Sequence, residues 1–329
     1  MAPQGEMRPI RLRQDLMGLI ELTEIAFADE LASRGEDLRE SLLSVRRLIP
    51  LLGVLGALSE DFRHLLDGFV WEDGGRLVAS TIVQRMGHDK TRWYVGSVAT
   101  HPDYRRQGLA RKLTTRALEH AKEHGAEVCI LDVRADNPAA YDLYRSLGFT
   151  HYDSSTDLKL EQLPEVEGHD APGYVLRPME LSEWRARYDL QLRATPAEVQ
   201  AFLPVSEDQY QVSSLQRLLA PLLQRLQGVD IYRWVAERDG QAIGYLRLVA
   251  RRVAKTAHEM DWSIDPGHQD APAEALLTMA LHTMKDYPAQ NILLSVRTSS
   301  ESLLALLKRY GFVEIETLHR LGVKLDGRA

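Results

Sequence analysis

Residues 98–110, Val-Ala-Thr-His-Pro-Asp-Tyr-Arg-Arg-Gln-Gly-Leu-Ala, place a basic, glycine-bearing loop between an apolar run and a helical pattern. Backbone N–H groups at a helix start have no intrahelical partner, and the helix dipole adds partial positive charge there. Gly108 lets an anion approach the backbone, Ala110 keeps the first turn open, and Arg105 and Arg106 add charge. Such a loop suits a pyrophosphate, although a glycine before a helix also serves as a plain turn residue. A second group follows, Leu131-Asp-Val-Arg-Ala-Asp-Asn137 and then Pro-Ala-Ala140-Tyr-Asp-Leu-Tyr144-Arg-Ser-Leu-Gly148-Phe149. Asp132 alternates with Leu131 and Val133, so it points to the face opposite theirs. Asn137 stands where an N-cap belongs, with Pro138 at the first helical position. Tyr144 offers a phenol that still holds its proton at neutral pH.

Together the two groups, in this order and spacing, resemble the two signatures of the GNAT family of acetyltransferases over roughly residues 90–150. The resemblance implies acetyl-CoA as co-substrate and a primary amine, on a small molecule or a peptide N-terminus, as acceptor. It implies that Val98, Ala99 and Thr100 pair with the pantetheine arm and polarise the thioester. Arg105, Arg106, Gln107, Gly108, Leu109, Ala110 and Arg111 are then the pyrophosphate grip, with Asn137 and Ala140 also against the coenzyme. Tyr144 occupies the position whose hydroxyl points at the coenzyme sulfur in this family, that of a general acid. Members that acetylate ribosomal-protein N-termini read Leu-Glu-Val where this chain reads Leu131-Asp-Val133, and that carboxylate looks like the base. The shorter Asp132 would then work through a bridging water. Pairing with a nearby arginine, or holding the substrate ammonium, are the other readings of Asp132. Two alternatives to acetyl transfer stay open: an acyl-CoA-binding sensor without catalysis, and an acyltransferase with a longer donor.

These residues need a scaffold, and the pattern of elements supplies one twice. A strand at 10–13, helical regions at 15–29 and 36–58, and a hairpin around Glu72-Asp-Gly-Gly75 precede the strand 92–100 that enters the loop. A helix to His124 stops at Gly125, and a strand, a short helix and a final strand pair follow. The acidic, proline-bearing stretch 161–172 reads as a linker, after which the order repeats with a period of about 164 residues. Even a proline recurs, as Pro50 and as Pro221. The expected fold is α/β, two tandem GNAT-like domains at 1–160 and 173–329, each a mixed, twisted sheet flanked by helices.

The copies differ at the chemistry. Gln269 falls under Arg105, Pro272 under Gly108 and Glu274 under Ala110, while Ser295, Ser300 and Leu307 replace Asp132, Asn137 and Tyr144. Proline gives no N–H and a carboxylate repels phosphate, so one active site is expected, in the N-terminal half. The family resemblance further implies that the acceptor binds over residues 15–58. A net charge of −7 excludes the basic field of a nucleic-acid binder. The apolar stretch 48–58 is too short to span a bilayer. The single cysteine, Cys129, sits in an apolar run and reads as a small core residue. His120 and His124 stand one turn apart on a helix without an evident third ligand, so no metal is expected. A cytoplasmic enzyme, with a homodimer as one option, completes the expectation.

Overall fold

The computed structural model describes residues 5–28, 67–86, 89–168, 171–253, 256–268 and 270–325. The expected helix at 36–58, with Pro50, and most of the expected acceptor region lie outside them. The chain forms two compact units, one of residues 1–151 and 320–329, the other of 152–319.

In the first unit β1 (Glu6–Pro9), β2 (Asp67–Asp73), β3 (Arg76–Met86), β4 (Asp89–Thr100) and β5 (Val128–Arg134) are neighbours in that order. Their pairings are antiparallel except for the parallel β4–β5. Beyond β5 lie residues 320–324, the end of β12 (Val313–Lys324). Helix α1 (Leu12–Ala26) follows β1, α2 (Leu109–Glu123) links β4 to β5, and α3 (Pro138–Ser146) follows β5. A one-turn apolar spacing drives α2 onto the sheet: Leu109, Leu113, Ala117 and Ala121 are all buried. They join Val78, Val83, Trp93, Cys129 and, from far along the chain, Leu321 in one core. Burial pushes the Cys129 thiol up to about 12, as suits a small core residue rather than a nucleophile.

Two local expectations shift. The first strand is 6–9, not 10–13, and α1 begins at Leu12 rather than Asp15. No apolar face marks that strand; its anchor is Arg8, which donates to Asp15 at 2.7 and 2.8 Å and to Glu72 at 2.7 Å. The second shift is that one strand, β6 (Thr150–Leu160), replaces the expected closing pair.

Asp15 is buried, takes the Arg11 N–H as well, and the Arg8 guanidinium holds its carboxyl below the usual range. A depressed folded-state pKa contributes stability above the unfolded value and loses it as pH falls below about 4. Asp15→Asn should therefore cost about 2–3 kcal/mol at pH 7. Urea melts should show the gap to wild type narrowing toward pH 3; an equal gap at both pH values would refute the assignment.

The second unit has β6, β11 (Ile292–Arg297), β10 (His258–Ile264), β9 (Gln241–Arg251), β8 (Val229–Arg238) and β7 (Val175–Pro178) as successive neighbours. Only β10–β11 among the described pairings is parallel. Residues 155–160 of β6 pair with β11, from Leu160↔Ile292 to Ser155↔Arg297. Helices α4 (Trp184–Ala194), α5 (Ala197–Gln200), α6 (Ser214–Gln227), α7 (Asp270–Thr283) and α8 (Glu301–Arg309) complete it. Leu158, Leu246, Leu248, Leu276, Leu277, Leu307 and Phe312 form its core. Each unit is thus α/β with a mixed sheet. Among the described residues no helix is long and apolar enough to cross a membrane.

Candidate active site

The glycine loop folds as an open helix start. Pro102–Tyr104 make one 3₁₀ turn, Arg106 adopts φ +61° and Gly108, at φ +77°, is the N-cap of α2. No side chain caps this helix, and an added Cβ on Gly108 would meet nothing within 4 Å. The first-turn N–H groups of Leu109, Ala110 and Arg111 therefore have no capping side chain, the arrangement an anion needs. Arg105 reaches back to the carbonyls of Thr100 at 3.5 Å and Ala26 at 3.3 Å. Gln107 donates to the Asp103 carbonyl, and Arg111 to Ser146 Oγ at 2.6 Å, tying α2 to α3.

Ahead of the loop, β4 carries a bulge. Ser80 faces Ala99 and Ile82 faces Gly96, so Ser97 and Val98 together oppose Thr81, and Ser97 takes φ +48°. A bulge bends its strand and sharpens the twist. Parallel pairing with β5 accordingly stops at Tyr94↔Ile130, while His101 N–H holds the end of β4 to Val78 on the β3 side. Val98, Ala99 and Thr100 thus lie beyond the stretch of β4 that pairs with β5, on a segment held to β3. Among these, Ala99 is buried and Val98 and Thr100 are half-buried.

Where the two strands part, Asp132 is exposed between buried Leu131 and Val133. Tyr94 donates to its Oδ2 at 3.4 Å, and Arg320 Nε lies 3.9 Å from Oδ1. Burial and the facing Asp132 carboxylate hold the Tyr94 phenol above its ordinary value. Tyr144 of α3 is 6% exposed, packs edge-on to Phe149 and acts on the ionisation of Tyr94. Burial alone pushes its phenol up to about 12. Asn137 caps α3, its Oδ1 accepting the Ala140 N–H at 3.1 Å, while its exposed NH₂ group stays available. The residues singled out in the sequence thus fall into a loop group at 105–111 and a strand-gap group of 98–100, Asp132 and Tyr144. Sequence reasoning missed Arg320, which lies 188 positions from its partner on a late strand.

The corresponding places in the second unit are built differently. Pairing of β10 with β9 runs from Glu259↔Val249 to Ile264↔Gly244 without a bulge. Glu274, in the N-terminal half of α7, accepts from Tyr310 Oη at 2.8 Å and Arg309 at 2.7 Å. Ser300 opens α8 without capping it, and Leu307 is fully buried. Gln269 lies outside the described residues.

Two other features of the first unit are already internally paired. A cavity of about 360 Å³ between α1 and the β2–β3 hairpin is lined by Arg8, Asp15, Glu21, Glu72, Arg76 and His101. Its Arg8 is held by Asp15 and Glu72, and its Arg76 lies 3.8 Å from Glu21. His120, Glu123 and His124 gather on the end of α2 with ligand-capable atoms within 4.8 Å of one another. His120 is bonded to Asp67 at 3.1 Å and Glu123 to Arg116 at 3.1 Å.

Comparison with known proteins agrees with this geometry. The model of the acetyltransferase (GNAT) family matches residues 43–149 and again 197–312. The chain belongs to the GNAT family, as a tandem pair of its domains, and is by family an acyltransferase. It is 35% identical over 112 residues to N-alpha-acetyltransferase 30 of Schizosaccharomyces pombe, covering 33% of this chain and 71% of that protein. It is 31% identical over 102 residues to the [Ribosomal protein bS18]-alanine N-acetyltransferase of Escherichia coli, covering 31% of this chain and 64% of that one. In fold, it matches a tandem GNAT protein from the clavulanic acid biosynthesis pathway with a TM-score of 0.59 at 16% identity, over 99% of this chain and 100% of the other. A GCN5-related N-acetyltransferase from Sphaerobacter thermophilus matches with a TM-score of 0.63 at 17% identity, over 98% and 97%.

Proposed function

We propose that this protein transfers an acetyl group from acetyl-CoA to a primary amine, at one site, in the first unit. The observation that carries the proposal is the uncapped start of α2 at Gly108 beside the parted strands β4 and β5. A pyrophosphate fits where an added Cβ would meet nothing, and a pantetheine arm fits the open edge of Val98, Ala99 and Thr100. The thioester supplies an activated acyl group, and the chain's residues do the rest.

Arg105, Arg106, Gln107 and Arg111 supply charge and donors around the N–H groups of 109–111, with Asn137 and Ala140 bordering the coenzyme across from them. Backbone N–H groups at 98–100 polarise the carbonyl under attack. Tyr144 donates its proton to the departing thiolate; its raised pKa keeps it protonated throughout the working range. Asp132 accepts the amine proton, directly or through water, or holds the ammonium before it is lost, and Tyr94 and Arg320 fix its orientation. The domain at 1–160 is then catalytic, and the copy at 173–329, joined through 161–172, has lost the coenzyme site: no bulge, a proline at 272 and an engaged Glu274 favour that reading. Peptide N-termini are the favoured acceptors, because both relatives named above bear N-terminal or ribosomal-protein acetylation in their names. The reaction draws on cytoplasmic acetyl-CoA.

The test is thiol release from acetyl-CoA across a panel of small amines and peptides with free N-termini. Turnover on at least one peptide is expected; coenzyme binding without release on any acceptor would favour the sensor. Asp132→Asn should lower kcat about 10²-fold and change the pH profile of kcat. A uniform loss with the pH profile unchanged would assign Asp132 to positioning instead.

A further inference from the structure

The sheet of the second unit carries, on the face under α4, more positive charge than it neutralises. Register sets Arg233 of β8 opposite Arg247 of β9, and Arg247 opposite Asp261 of β10. Two guanidiniums and one carboxylate therefore stand in a row across three strands. Arg247 Nε donates to Asp261 Oδ2 and so takes the single carboxylate. Arg233, half-buried, makes one long hydrogen bond of 3.5 Å to the Ile231 carbonyl and faces no acid of its own among the described residues. A third guanidinium, Arg187 of α4, sits over the rings of Tyr245 at 4.7 Å and Tyr210 at 5.1 Å. Tyr245 lies two residues before Arg247 on the same face of β9. It is 1% exposed, and its hydroxyl has no hydrogen-bond partner among the described residues.

Neither feature serves stability. Like charges directly opposite on neighbouring strands repel, and a buried hydroxyl without a partner is costly. The charged groups converge on the phenol: Arg187, Arg233, Arg247 and Asp261 each act electrostatically on Tyr245. An anion placed among them would supply the missing charge and the missing acceptor together.

We infer that Arg187, Arg233, Arg247 and the Tyr245 hydroxyl form a binding site for a compact oxyanion, a carboxylate or phosphoryl group. Guanidiniums bind both groups through paired N–H donors. The site lies wholly in the unit that lacks the glycine cradle, so the second copy holds a ligand of its own rather than a coenzyme.

The test titrates inorganic phosphate and, separately, succinate into the full chain at constant ionic strength, followed by calorimetry and thermal melting. Saturable binding of at least one is expected, and which one binds identifies the headgroup. Gly108→Glu should leave this binding intact, separating it from any phosphate held at α2. Arg233→Met should raise the melting temperature without ligand and weaken binding at least about tenfold. Tyr245→Phe, which keeps the packing, should weaken it by about five- to tenfold. Asp261→Asn should tighten it, because a competing carboxylate is gone. Failure of both anions to bind, or binding unchanged in Arg233→Met and Tyr245→Phe, would overturn the inference.

Discussion

Gly108→Glu is expected to leave the protein folded and to abolish acetyl-CoA binding. The position has φ +77°, so any side chain there is strained by about 1–2 kcal/mol. A carboxylate at a helix N-terminus partly offsets that strain. Nothing lies within 4 Å of the new Cβ, so packing is untouched. The carboxylate would occupy the space where the first-turn N–H groups point and would repel two phosphates at contact distance. A loss of at least about 10²-fold in affinity follows, since two or more charge-assisted hydrogen bonds disappear at roughly 1.5–3 kcal/mol each. Calorimetry against wild type reads this directly, with circular dichroism as the check on folding. Binding that survives would mean either a working second cradle or a coenzyme held elsewhere.

Tyr144→Phe should lower turnover steeply at unchanged donor affinity. General acid catalysis is worth about 10²–10⁴-fold, and the ring without its hydroxyl still fills its place against Phe149. The expected signature is kcat down by about 10²-fold with KM for acetyl-CoA within about twofold. Because the phenol sits near 12, wild type should show no fall in rate up to about pH 10 from this group. If the phenylalanine variant turns over at full rate, the leaving thiolate takes its proton from solvent and Tyr144 is core.

The shape of the glycine loop and of the strand-helix group after it was legible because its signals are local: a left-handed glycine before one helix and an asparagine cap before the next. The repeat was legible for the same reason, since hairpin turns and Gly-Phe helix ends mark each copy. What stayed hidden depends on distance along the chain. Arg320 meets Asp132 only through strand order, and no pattern near either residue announces the other. The first strand was misplaced because charge pairs rather than an apolar face hold it. The β4 bulge left no trace either, because Ser97 is an ordinary residue carrying an uncommon φ. The row Arg233, Arg247, Asp261 exists only once three strands are in register.

The first unit does not close on its own stretch of chain. Leu321 is buried in its core, Leu325 N–H bonds Glu127 at 2.7 Å, the Gly322 carbonyl accepts from Thr150, and Arg320 faces Asp132. During synthesis, therefore, the half that comes off the ribosome first must wait, one strand short, until residues 320–325 have emerged. No nascent fragment that stops before residue 320 has the complete sheet that carries the proposed site. A frameshift or early stop anywhere in the second half removes the proposed activity of the first, even though every residue of its glycine loop has been made.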